Sequence, residues 1–137
     1  MIKYQSVNIN FKPYFHGLAK WIKKVIIRDN FVPGDLMYVF CDDTYLLEVN
    51  KKFLGHNTFT DIITFPTSTD PKILSGQIFI SIQRVRENSE SLGTDFEDEF
   101  ARVLIHGVLH LMGYNDHSEE EKRAMRLKED KSLSLRA

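Results

Sequence analysis

The run His106-Gly107-Val108-Leu109-His110-Leu111-Met112-Gly113-Tyr114-Asn115-Asp116-His117 decides how this chain is read. Its first half continues a segment in which Phe100, Val103, Leu104, Ile105, Val108, Leu109, Leu111 and Met112 cover most of a helix circumference. Apolar residues all round mark a helix buried by its neighbours, so the pattern predicts a central helix over residues 96–112 with the rest of the fold built around it. On that helix His106 and His110, at i and i+4, share one face about 6 Å apart along the axis. Buried imidazoles need partners for their ring nitrogens, and a metal ion supplies them, as it does for the two histidines of the zinc pattern H-E-x-x-H. Gly113 gives the helix a place to stop and the chain a place to turn back. Just beyond it, Asp116 or His117 can supply a third ligand. Three protein ligands with a fourth position left to water describe a catalytic zinc site better than a closed structural one.

Working outward, Ile2, Tyr4, Val7 and Ile9 suggest an opening strand. Phe15, Leu18, Ala19, Ile22, Val25 and Ile26 follow helical spacing, with Lys20, Lys23 and Lys24 on the other side of that helix. Pro33-Gly34-Asp35 reads as a turn before an apolar strand over 36–41. Asp42-Asp43-Thr44 can cap a helix over about 45–53, and a polar loop, 55–60, leads to a strand over 62–65. The short connection 67–71 favours an antiparallel hairpin with a strand over 73–82, while the first two strands can run parallel through their crossover helix. A helix over 84–91 ends at Gly93-Thr94-Asp95, which caps the central helix. Ser118-Glu119-Glu120-Glu121 reads as a capping box for a last helix supported by a Glu119–Arg123 pair. The expected fold is α+β (α/β): a mixed four-stranded sheet packed around a buried, metal-bearing central helix with flanking helices.

A chain of 137 residues supports one domain with a proper core and is too short for two ordinary ones, so residues 1–137 are expected to form a single metal-binding domain. The net charge of −1 exerts no global pull on nucleic acid. Residues 1–28, however, carry Lys3, Lys12, Lys20, Lys23, Lys24 and Arg28 without one acid, and Lys20, Lys23 and Lys24 are the expected contacts to RNA phosphate. No apolar run approaches the ~18 residues of a membrane span, and the first residues lack a signal-peptide pattern. Cys41 is the single cysteine, which fits a reducing compartment, and a cytoplasmic location is expected.

The histidine run resembles the signature H-G-x-L-H-L-x-G-Y-D-H of the YbeY-type rRNA maturation factors, a family of zinc-dependent endoribonucleases. Leu47-Glu48-Val49-Asn50-Lys51-Lys52-Phe53 with Thr60-Asp61-Ile62-Ile63-Thr64-Phe65-Pro66 resembles a second family block, and Ser75-Gly76-Gln77-Ile78-Phe79-Ile80 a third. The resemblance implies a mixed sheet, one Zn2+ per chain, cleavage of single-stranded RNA in 16S rRNA 3′-end maturation and ribosome quality control, and the small ribosomal subunit as partner. The chain departs from the pattern in three places. Leu54 stands where the family block places an arginine, Gln77 replaces the aspartate of G-D-I, and Asn115 adds a residue before Asp116-His117. Without a gap, Asp116 takes the position of the family's third histidine, ten residues after His106. This spacing favours Asp116, since it needs no remodelled turn, and His117 stays open as the alternative ligand.

Gly107 occupies the position where a zinc peptidase carries its general-base glutamate, which sets peptide hydrolysis aside. RNA cleavage needs positive charge on the phosphorane instead. Leu54 cannot provide it; Lys51, Lys52 and His56 are close in sequence. Two readings follow, a zinc-dependent endoribonuclease and a non-catalytic ribosome-assembly factor with a structural zinc.

Overall fold

The computed structural model describes residues 1–13 and 17–136. Its elements, in chain order, are β1 (Ile2–Val7), α1 (Leu18–Arg28), β2 (Val32–Cys41), α2 (Asp43–Val49), a π-helical turn (Asn50–Leu54), β3 (Ile62–Pro66), β4 (Ile73–Ser81), α3 (Ile82–Leu92), α4 (Phe96–Leu111) and α5 (Glu119–Leu133). Phe15, read above as part of the first helix, lies outside the described residues.

The strands form one mixed sheet in the order β1-β2-β4-β3. β1 and β4 both run parallel to β2, and β3 runs antiparallel to β4. Alternation along each strand sorts the side chains onto two faces. Leu36, Tyr38, Phe40, Leu74, Ile78 and Ile80 face the larger core, built with α1 and α4. Cys41 and Ile63 face a smaller one beneath Leu46 and Val49 of α2. α4 is the buried hub: Phe100, Leu104, Ile105, Val108 and Leu109 are almost wholly withdrawn from solvent. The Tyr38 hydroxyl donates to the Leu104 carbonyl at 3.0 Å, fixing the helix to the sheet, and the Trp21 indole donates to the Ser132 carbonyl at 2.8 Å, joining α1 to α5.

Pro33-Gly34-Asp35 is not a turn. It lies inside β2, at a register shift between Pro33 and Leu36 against β4. A bulge is one of the few strand positions that accept proline. Gly34 fits there because a Cβ would fall 2.0 Å from Oγ of Ser75, which instead accepts a hydrogen bond from the Asp35 amide at 3.0 Å. The helix after Cys41 is also shorter than expected, giving way to the π-helical turn at Asn50. The capping box of α5 is formed by Ser118 and Glu121, but Glu119 pairs with Lys122 at 3.7 Å rather than with Arg123.

Candidate metal centre

Two glycines let the C-terminal half of α4 lie against β3 and β4. A Cβ on Gly107 would stand 2.8 Å from Cγ2 of Ile78 and 2.9 Å from Cδ1 of Ile62. One on Gly76 would stand 2.9 Å from Cδ2 of Leu111 on α4, and 2.7 Å from the carbonyl oxygen of Phe65 on β3. The residue after His106 is therefore small for a packing reason, and its lack of a carboxylate follows from the fold.

α4 then ends in a Schellman motif. Gly113 has φ 105°, its N–H donates to the His110 carbonyl at 3.0 Å, and the Tyr114 N–H donates to the Leu109 carbonyl at 3.1 Å. The reversal brings Asp116 back over the two histidines. Nε2 of His106 and Nε2 of His110 are 2.9 Å apart, and Oδ2 of Asp116 lies 3.3 Å from the first and 3.5 Å from the second. A tetrahedral ion with ligands at about 2.1 Å holds its ligand atoms about 3.4 Å apart, so these separations fit one metal ion with little adjustment. Among the described residues, His106, His110 and Asp116 are the one such group of histidine, cysteine and carboxylate side chains. His117 is not in it. Its backbone N–H donates to Oε1 of Glu121 at 3.2 Å, at the start of α5, and the residue lines the neighbouring cleft.

The sequence reading missed the support behind His106. Oε2 of Glu129, on α5, lies 2.6 Å from Nδ1 of His106. A carboxylate only accepts, so Nδ1 carries the hydrogen, and Nε2, which faces Asp116 and His110, is the ring atom whose lone pair a metal ion would take. The other oxygen of Glu129 takes a hydrogen bond from Nη1 of Arg102 at 2.8 Å, and Nη2 of Arg102 reaches Asp130 at 2.7 Å. Arg102, one turn before His106, and Glu129, only 5% exposed, complete the frame. A signal was present in the sequence: Met125, Glu129 and Ser132 share one stripe of the last helix, so a carboxylate occupies its buried face.

The electrostatics follow from this frame. Burial works against the charged form of His106, but the Glu129 hydrogen bond and the nearby charges of Glu129, Asp116 and Asp61 outweigh it and raise its pKa. Burial and the proximity of His106 lower that of His110. Glu129 is pushed up by burial and pulled further down by His106 and Arg102, ending below its ordinary value.

Beside the cluster opens a cleft of about 460 Å3, lined among others by Asn50, Leu54, His56, Phe59, His110 and His117. Leu54, at the end of the π-helical turn, is 45% exposed on it. Lys51 and Lys52 are exposed but do not line it. Nor do Lys20, Lys23 and Lys24, which are exposed on α1, a helix that packs on β2 rather than on β3.

The fold and cluster define a class: a small α+β domain whose central helix and following turn present a three-residue site able to hold a metal ion. A family model described as endoribonuclease YbeY matches residues 3–136. Proteins named endoribonuclease YbeY are similar along most of the chain. That of Flavobacterium psychrophilum is 49% identical over 115 residues, 84% of this chain and 81% of its own. That of Flavobacterium johnsoniae is 38% identical over 134 residues, 94% of this chain and 96% of its own. The solution structure of TM1509 from Thermotoga maritima superimposes with a TM-score of 0.64 at 24% identity, covering 98% of this chain and 88% of that one, and shares the fold. The chain belongs to the endoribonuclease YbeY family.

Proposed function

We propose that this protein is a zinc-dependent endoribonuclease that cuts single-stranded RNA, acting with the small ribosomal subunit in 16S rRNA 3′-end maturation and ribosome quality control in the cytoplasm. The observation that carries this reading is the His106–His110–Asp116 group opening onto a cleft, in a chain whose relatives are named endoribonucleases. His106, His110 and Asp116 are the zinc ligands in this reading, and two imidazoles with one carboxylate suit zinc better than magnesium or calcium. When bound, the ion supplies Lewis acidity toward a phosphoryl oxygen and lowers the pKa of water. Glu129 fixes the tautomer and orientation of His106, and the Schellman turn at Gly113 fixes the approach of Asp116. Lys20, Lys23 and Lys24 hold RNA backbone away from the cleft.

Leu54 supports a second reading, a non-catalytic ribosome-assembly factor with a structural zinc, because it puts an uncharged side chain on the cleft where a cation would steady the phosphorane. One experiment separates the two. Purified protein is analysed for metal and incubated with labelled single-stranded RNA, untreated, after chelation, and after zinc is restored. About one zinc per chain is expected, with cleavage that stops on chelation, returns with zinc and is absent in His106→Ala. Zinc-loaded protein that binds RNA and leaves it uncut supports the second reading; protein without zinc overturns both.

A further inference from the structure

We infer that Phe59 forms a nucleobase-stacking subsite beside the metal centre, so that one base of a single-stranded RNA is held on its ring while the adjoining backbone enters the cleft. The inference rests on the ribonuclease reading above and names how this chain grips its substrate.

Phe59 lies in the loop that precedes β3 and lines the same cleft as His110 and His117. It is 55% exposed, unusual for a ring in a loop that the protein otherwise ties down. The anchoring is explicit. Asn50, a buried side chain of the π-helical turn, donates from Nδ2 to the Thr58 carbonyl at 2.8 Å, and the His56 N–H donates to the Asn50 carbonyl at 3.3 Å. One face of the ring is backed by the guanidinium of Arg84, 5.3 Å from its centroid. Arg84 is itself fixed by an ion pair with Asp43 at 2.6 Å. The ring is therefore supported from one side and open to solvent, the arrangement of a stacking platform. Leu54 continues the apolar wall, and the exposed cations Lys51 and Lys52 lie just before it in the chain. The cleft, about 460 Å3, falls within the ~300–1,000 Å3 of small-ligand sites. A flat apolar ring, backed on one face and open on the cleft, describes a grip on single strands by base stacking.

The test compares Phe59→Leu, which keeps an apolar side chain, with Phe59→Trp, which keeps an aromatic face. Zinc-loaded protein is titrated with a labelled ten-nucleotide single strand and with a duplex of the same sequence. Fluorescence of a 2-aminopurine placed in the single strand reports stacking directly. Phe59→Leu should weaken single-strand binding about 5- to 150-fold, the range for loss of one stacked base. It should leave the salt slope and duplex binding unchanged and abolish the 2-aminopurine quenching, all of which Phe59→Trp retains. Wild-type single-strand affinity and quenching in Phe59→Leu overturn the stacking subsite and leave the metal site standing. A wild-type protein that binds no single-stranded RNA overturns the subsite and the ribonuclease reading on which it rests.

Discussion

Replacing Glu129 with glutamine tests the frame behind the metal centre. Glu129 is almost fully buried, and its two oxygens serve two donors: Nδ1 of His106 at 2.6 Å and Nη1 of Arg102 at 2.8 Å. An amide has one acceptor oxygen and one NH2, so in Glu129→Gln one of those donors faces another donor. Breaking a buried pair costs about 3–5 kcal/mol; Arg102 keeps Asp130 at 2.7 Å, which brings the expected loss to about 2–3 kcal/mol. In a domain of this size that lowers the melting temperature by roughly 10 °C. Zinc affinity should fall by about 10- to 100-fold, the usual effect of removing the carboxylate behind a ligating histidine.

The assay is a competitive zinc titration against a chromophoric chelator, paired with thermal melts of metal-free protein and with Glu120→Gln, an exposed change on the same helix, as control. The pH dependence gives a further check. Because the folded carboxyl of Glu129 sits below its usual value, its stabilisation is complete above the unfolded pKa of about 4.3 and is lost as the pH falls through the lower folded value. The stability gap between wild type and variant should therefore narrow on acidification below about pH 4. Wild-type zinc affinity in Glu129→Gln would refute the assigned orienting role, and a gap that widens in acid would refute the electrostatic one.

Three other outcomes are expected. Asp116→Ala should lose most of the zinc affinity and His117→Ala little of it in the same titration; the reverse pattern makes His117 the ligand. Lys20→Glu, Lys23→Glu and Lys24→Glu together should weaken RNA binding and flatten its salt dependence by up to about three units of slope, and equal affinities at two salt concentrations would remove α1 from the interface. The thiol of Cys41, fully buried and pushed up to about 12 by burial and by the charges of Asp42 and Asp43, should ignore an aromatic disulfide reagent at pH 8 until guanidinium unfolds the chain; stoichiometric labelling of native protein would contradict its burial.

What could be read from the sequence was local. The central helix, the four strands and the capping box at Ser118 each leave a periodicity or a cap within a dozen residues, and all are present. The reading failed where a long-range contact overrode a local preference. Pro33-Gly34-Asp35 has turn composition, but β4 recruits it as a bulge, with Ser75 filling the space a side chain on Gly34 would need. Glu129 is 23 residues from His106, and their contact exists only because α5 packs along α4. The i, i+4 histidines were visible because one helix makes them neighbours. The approach of Asp116 rests on the backbone at Gly113, where the sequence named a stop without fixing its angle.

The chain's departures from its family pattern bear on one electrostatic question. Where the pattern has an arginine it carries Leu54, and with Asp116 as third ligand a carboxylate replaces an imidazole on the ion. Both changes make the centre less positive toward a phosphodiester, and Glu129 and Asp61 add negative charge near His106. Attraction of RNA by the centre itself is therefore weaker than a three-histidine site with an adjacent arginine would provide. The grip on RNA has to come from elsewhere, and two features can supply it. In the proposed reading the exposed lysines of α1 would act on backbone phosphate, and the ring of Phe59 would hold a base by stacking, which needs no net charge. Binding and chemistry would then be divided between different surfaces. A chain divided in this way would bind RNA at full strength while the rate of the chemical step is set independently at the proposed metal centre.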